Sequence, residues 1–108
     1  MNMNLMSESE FLDLSDAVFD RIESALDQVD FEVDTLRSGN VLEIELENGS
    51  KIIVNRHSFN REIWLAAKSG GYHYRFVDGK WCNTRDEGEF YTDLSVAMSA
   101  QAGQPFVL

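Results

Sequence analysis

Apolar residues recur every three or four positions along the first quarter of the chain. The run from Phe11 to Val29 follows the repeat of an α-helix and predicts an amphipathic helix over residues 7–29. The start of this helix carries a capping box, in which Ser7 caps the helix and Glu10 stands at the third helical position. One face of the helix is therefore expected to lie in the core.

The middle of the chain follows a period of two instead. Leu42, Ile44 and Leu46 alternate with glutamates, which is typical of a strand with one buried face. The dipeptide Asn48-Gly49 favours a tight turn that joins this strand to the next as a hairpin. The same reasoning predicts strands over residues 32–37, 42–47, 51–55, 62–67, 71–77 and 80–82.

A second helix is predicted over residues 87–102, where Asp86 and Glu89 form an N-terminal cap signature and Gly103 ends the element. The order of elements is then helix, five or six strands, helix, with no helix between strands. Such an order requires an antiparallel sheet with both helices on one of its faces. The predicted fold class is α+β, a two-layer α-β sandwich formed by a single domain over residues 1–108.

Negative charge is concentrated in the first half of the chain. The 108 residues include 19 acids and 9 bases, a formal net charge of −10 at pH 7, and residues 1–47 hold 13 of the acids but only two of the bases. A surface of this sign repels nucleic-acid backbones and anionic membranes, so neither is an expected partner. The partners that it favours are cations or a basic protein surface.

Several other classes of protein are disfavoured by what the sequence lacks. It contains no apolar run long enough to span a membrane, and residues 1–6 lack the features of a secretory signal. Cys82 is the only cysteine, which excludes an internal disulfide and a cysteine-rich zinc module, and it is expected to be a buried structural thiol. His57 and His73 show no metal-binding or catalytic spacing. The expectation is a soluble cytoplasmic protein.

A stripe of carboxylates opposite the apolar face of the first helix is the most informative chemical feature. Asp16 and Asp20, like Glu23 and Asp27, stand four residues apart, where like charges repel, and Arg21 is the only base close to them in sequence. The stripe is either an ordinary solvated face or a surface that requires a cation or a partner, and its single sign favours the second. Carboxylates without histidine or cysteine suit hard cations such as iron, manganese, calcium or magnesium, bound weakly along an open row. The candidate ligands, called the acidic ridge below, are Asp16, Asp20, Glu23, Asp27, Asp30, Glu32 and Asp34.

Trp64 is the second candidate for a functional role. Alternation along its strand puts Ile63 and Leu65 on one face of the sheet and Trp64 on the other. If the apolar pair faces the helices, Trp64 lies on the open face, where a tryptophan is a preferred interface anchor. In the inverted register Trp64 is a core residue instead. Asn55 and His73 are expected on the same face as Trp64.

Three segments of the chain are distinctive when read together. They are Asn48-Gly49-Ser50-Lys51-Ile52-Ile53-Val54-Asn55-Arg56, Ile63-Trp64-Leu65-Ala66 and Gly70-Gly71-Tyr72-His73-Tyr74. In this order they closely resemble the bacterial frataxin family of the CyaY type, and the likeness extends from about Ser9 to Gly103. The resemblance implies two helices on a five- to six-stranded antiparallel sheet. It also implies weak binding of ferrous and ferric iron, and contact with the cysteine desulfurase and the scaffold protein of iron–sulfur cluster assembly.

The resemblance also assigns roles to individual positions. It implies partner contacts at Asn55, Arg56 and Trp64. Bacterial relatives usually carry a denser acidic cluster at the end of the first helix, which Ser24 and Gln28 interrupt here, so the number of metal positions stays open. The iron ligands that it implies are Asp20, Glu23, Asp27, Asp30, Glu32 and Asp34.

Three functional hypotheses follow, from different classes. The first is a non-enzymatic, iron-binding accessory protein of cluster assembly, a monomer that forms oligomers when loaded with iron. The second is a regulator of the desulfurase that acts by protein contact alone, with iron binding incidental to its negative charge. The third is a ferroxidase, which the sequence disfavours because the Glu-x-x-His pairs of ferritin-like di-iron sites do not occur.

Overall fold

The computed structural model of the protein describes residues 6–108, and its elements follow the predicted order. Helix α1 spans Glu8–Leu26 and helix α2 spans Phe90–Ala102. The strands between them are β1 (Val33–Ser38), β2 (Val41–Leu46), β3 (Lys51–His57), β4 (Glu62–Ala67), β5 (Gly70–Val77) and β6 (Lys80–Asn83). They form one antiparallel sheet in sequence order, from β1 at one edge to β6 at the other. The predicted fold class, two helices packed on one face of an antiparallel sheet, is confirmed.

Helix α1 begins at the predicted capping box. The Ser7 side chain accepts from the Glu10 backbone N–H at 3.1 Å, and the Glu10 carboxylate accepts from the Ser7 N–H at 3.0 Å. The helix ends at Leu26, three residues earlier than predicted, because Gln28 N–H bonds to the Ala25 carbonyl and tightens the last turn. The side chains that α1 buries are Phe11, Ser15, Val18, Phe19, Ile22 and Leu26.

Helix α2 begins at Phe90, later than the predicted residue 87. Glu89 still pairs with Cys82 in an isolated β-bridge, which keeps the chain extended up to that point. Glu89 is the cap, since its carboxylate accepts from the N–H groups of Tyr91 and Thr92. The predicted role of Asp86 in the cap is wrong, because its carboxylate accepts from Gly88 N–H within the preceding turn.

The core lies between the sheet and the two helices. On β4, Ile63 and Leu65 are fully buried while Trp64 is half-buried on the other face, so the open-face register is the correct one. No helix within residues 6–108 is long and apolar enough to cross a membrane. Residues 1–5, which hold most of the segment inspected for a secretory signal, lie outside the described residues.

Cys82 is half-exposed, so the prediction that it is a buried thiol is wrong. It pairs with Arg75 across β5 and β6, and Arg75 lies on the open face. Trp81, its neighbour on β6, is buried and packs edge-on against Phe11. Because adjacent residues of a strand point to opposite faces, the large indole takes the inner position and the thiol faces outward.

Candidate functional site

The acidic ridge is divided into two parts by its neighbours. Its helix part consists of Asp16, Asp20 and Glu23 on α1, and these carboxylates face β1. Arg37 of β1 donates to all three: Nη1 is 2.7 Å from Asp20 Oδ1 and 3.0 Å from Glu23 Oε1, and Nη2 is 3.0 Å from Asp16 Oδ1. The repulsion expected along this part is therefore relieved by a base that lies close in space and far in sequence. Arg21, the only base close to these carboxylates in sequence, lies over the ring of Tyr91 instead.

Arg56 is a second base bound to the helix part. Its Nη1 lies 2.5 Å from Asp16 Oδ1 and 3.1 Å from Ser15 Oγ, and its Nε lies 3.2 Å from Asn40 Oδ1. The ring of the buried Phe19 lies beneath both guanidinium groups, 5.1 Å from that of Arg37 and 5.4 Å from that of Arg56. These contacts tie α1 to β1 and β3 through charged groups.

The structure separates Arg56 from the two residues grouped with it by the resemblance. Asn55 lies on the open face of β3, while Arg56 points to the helix side and its side chain is only 12% exposed. The three positions to which the resemblance assigns partner contacts therefore do not share one face, since Arg56 lies on the side of the sheet opposite Asn55 and Trp64. Alternation along β3 accounts for this separation, because consecutive residues of a strand belong to opposite faces.

Asp16 carries a pH dependence that can be measured. The hydrogen bond from Arg56, helped by Arg37, holds the pKa of Asp16 below its ordinary 3.8. A lowered folded-state pKa contributes stability above pH 3.8, and that stability is lost as the pH falls through the folded value. We expect Asp16→Asn to lower the free energy of unfolding at pH 7 by about 0.5–1 kcal/mol, a small value because the pair is partly screened by solvent. Urea unfolding at pH 7 and pH 3 checks this, and a deficit at pH 3 as large as the deficit at pH 7 would contradict it.

The loop part of the ridge consists of Asp27, Asp30, Glu32 and Asp34, and all four are exposed. Asp27 ends α1, and Asp34 lies in β1 directly opposite Glu45 of β2. Within residues 6–108 none of the four forms an ion pair. A shallow cleft of about 170 Å³ is lined by carboxylates of both strands and of the loops beside them, namely Glu32, Asp34, Glu45 and Glu47.

Glu45 and Glu47 extend the loop part beyond the residues proposed from the sequence. The hairpin between β1 and β2 brings Asp34 against Glu45, and like charges in that position are unfavourable. The alternation around Leu46 and the turn at Gly39 could have revealed this pairing. In the described part of the chain, no group of three or more His, Cys, Asp or Glu side chains is arranged to hold a metal ion. The ridge is thus an open row of oxygen donors.

Trp64 lies between two imidazole rings on the open face of the sheet. Its ring centroid is 3.5 Å from that of His57 and 3.9 Å from that of His73, with interplanar angles of 27° and 4°. We call these three residues the aromatic ladder. The indole Nε1–H donates to Glu62 at 2.9 Å, and the same carboxylate accepts from Arg75. A buried carboxylate therefore fixes the orientation of the indole.

His57 is the member of the ladder that the sequence analysis missed. Burial, with a smaller effect from His73, lowers the pKa of His57, which keeps this ring neutral near pH 7. Its Nε2 lies 3.2 Å from Asn55 Nδ2. The signal was present in the sequence, because His57 stands two positions after Asn55 in β3 and so shares its face.

Known proteins share both this sequence and this fold. The sequence matches the frataxin-like domain family over residues 4–104. It is 55% identical over 100 residues to the iron-sulfur cluster assembly protein CyaY of Paraburkholderia phymatum, which covers 93% of this chain and 95% of the relative.

Two solved structures share this fold, at different levels of sequence identity. A frataxin from Psychromonas ingrahamii matches with a TM-score of 0.88 and 35% identity, covering 94% of this chain and 97% of that chain. A trimeric frataxin from Saccharomyces cerevisiae, complexed with ferrous iron, matches with a TM-score of 0.60 and 21% identity, covering 94% and 89%. The second likeness extends to the fold alone.

Proposed function

The chain belongs to the frataxin-like family, and on that premise we propose that it is a non-enzymatic accessory protein of iron–sulfur cluster assembly, acting as a monomer in the cytoplasm. It binds ferrous and ferric iron weakly on the acidic ridge and docks on the cysteine desulfurase and the scaffold protein. The observation that carries this proposal is the loop part of the ridge, four exposed carboxylates without a counter-ion among the described residues.

The chemistry of the loop part suits an exchangeable metal cargo. Its donors are all carboxylate oxygens, which are ligands for hard cations such as iron. They lie along a loop and the edge strand β1 instead of enclosing a cavity, so water completes the coordination shell of a bound ion. Such a surface binds weakly and releases readily, as a protein that passes iron onward requires.

Partner docking uses two different properties of the surface. The exposed carboxylates of the loop part attract a basic surface of the desulfurase and speed the encounter. The aromatic ladder supplies a half-buried indole at the centre of the open sheet face, held in place by Glu62. Large aromatic side chains that are held rigidly are the usual anchors of protein interfaces. We therefore assign the ladder and Asn55 to contact with the scaffold.

The test is an anaerobic titration of the isotope-labelled protein with Fe²⁺, followed by amide line broadening. We expect broadening centred on residues 27–34. Asp27→Asn combined with Asp30→Asn should abolish it at low and at high salt, because coordination is short-range. The matched control is Glu8→Gln combined with Asp13→Asn, which removes the same charge from exposed positions earlier on α1. Broadening that survives in the first double variant would falsify the metal assignment.

Regulation by protein contact alone is the second candidate, and one observation favours it. Three of the seven ridge carboxylates are already ion-paired with Arg37, so the ridge offers iron fewer free donors than its sequence suggests. If the protein regulates by contact alone, its metal-free form changes desulfurase turnover, and Fe²⁺ leaves that effect unaltered. Turnover measured with and without the chain, in the presence and absence of Fe²⁺, separates the two candidates.

A further inference from the structure

Arg37 occupies the space between three carboxylates of the acidic ridge. We infer that Arg37 is a resident cation that closes the helix part of the ridge to metal ions and leaves the loop part as the surface open to them. This inference rests on the proposed function, since it concerns which ridge residues are free to bind iron. It assigns Arg37 the role of setting where on the ridge a metal can bind.

Contacts at the backbone of Arg37 and at its guanidinium group both fix its position. Its backbone pairs with Leu42 in the β1–β2 ladder, and Leu42 is fully buried, so the strand cannot shift without disturbing the core. Its guanidinium lies over Phe19 and is held by three carboxylates of α1 at 2.7–3.0 Å. The side chain is 28% exposed. A planar group with several donors can satisfy three acceptors at once, which a single ammonium group does less well.

The balance of charge differs sharply between the two parts of the ridge. In the helix part, Arg37 and Arg56 set two positive charges against three carboxylates, leaving one net negative charge. In the loop part, four carboxylates have no base paired with them within residues 6–108. A divalent ion entering the helix part must displace charge-assisted hydrogen bonds and approach two guanidinium groups. The same ion meets neither obstacle at the loop part.

The test uses Mn²⁺, a paramagnetic ion that prefers oxygen ligands, and maps amide broadening residue by residue. In the unaltered protein we expect broadening at residues 27–34 and little at residues 16–23. Arg37→Gln should open the helix part, so that residues 16–23 broaden and the affinity there rises by about tenfold. Melting curves of both proteins establish that the variant is folded.

Two control variants separate the position of the charge from its loss. Arg21→Gln removes the same charge from α1, but Arg21 lies over Tyr91 and forms no ion pair with a ridge carboxylate within residues 6–108, so residues 16–23 should stay sharp. Arg37→Lys keeps a cation at the site and should also leave them sharp. A gain in Arg37→Lys or Arg21→Gln equal to that in Arg37→Gln would overturn the inference, as would equal broadening of both parts in the unaltered protein.

The outcomes also distinguish this inference from the proposed function. If the unaltered protein shows no broadening at residues 27–34, the metal role of the loop part is wrong. The inference about Arg37 still stands in that case if Arg37→Gln alone broadens residues 16–23. If Arg37→Gln leaves residues 16–23 sharp, the guanidinium is not what excludes metal there, and the inference is wrong whatever the loop part does.

Discussion

Replacing Arg56 with alanine is expected to lower the free energy of unfolding by about 3 kcal/mol. Its guanidinium is largely buried between α1 and β3, where it bonds to Asp16, Ser15 and Asn40. The substitution leaves the Ser15 hydroxyl and the Asp16 carboxylate without this donor, and it empties space above Phe19. Urea unfolding at pH 7 measures the loss.

A second arginine serves as the control for this experiment. Arg85 is exposed, so Arg85→Ala removes the same charge without disturbing packing and should change stability by less than about 0.5 kcal/mol. Arg56→Lys should recover only part of the loss, because an ammonium group cannot reproduce the planar array of donors. Equal effects of the two alanine substitutions would show that net charge, and not the buried contacts of Arg56, determines stability.

Trp64→Ala is expected to weaken binding to the scaffold protein by about 30-fold or more, the effect of removing an interface anchor worth at least about 2 kcal/mol. Its effect on folding should be smaller, about 1–2 kcal/mol, because the indole is half-buried and not enclosed in the core. Calorimetric titration measures the affinity and urea unfolding measures the stability. A loss of stability in the range of about 3–5 kcal/mol, with binding intact in the folded fraction, would contradict the role assigned to the ladder.

The matched control for Trp64 lies in the helix layer. Val96 is 65% exposed on α2, and Val96→Ala removes apolar surface away from the open face of the sheet. It should leave scaffold affinity unchanged within about twofold. Trp64→Phe keeps an aromatic ring between the two imidazoles but loses the hydrogen bond to Glu62, so it should retain part of the affinity.

Local patterns were sufficient to predict the elements of this fold. The capping box at Ser7, the alternation along β2 and the turn at Asn48-Gly49 each depend on residues close together in the chain. Alternation likewise placed Trp64 on the open face once Ile63 and Leu65 were taken as core. These features follow from steric and hydrogen-bonding rules that act over a few residues.

The site was harder to predict because its decisive contacts join distant segments. The three ion pairs of Arg37 span 14 to 21 residues, and the bond between Arg56 and Asp16 spans 40. A helical wheel shows which carboxylates share a face but not which strand packs against it. The aromatic ladder likewise depends on contacts between distant segments. His57 and His73 meet at Trp64 only because β3, β4 and β5 lie in one particular register.

Strand β1 is the first strand of the sheet, and its outer side is unpaired in the described structure. Such an edge offers free backbone groups to a second copy of the chain, which is a common route to aggregation. The last strand, β6, is partly protected by the bridge between Cys82 and Glu89. At β1 the protection is electrostatic, since Asp34 and the neighbouring carboxylates would face their own counterparts in a second copy. The charge that attracts cations thus also keeps the edges of two molecules apart, and each carboxylate that is neutralised weakens that repulsion.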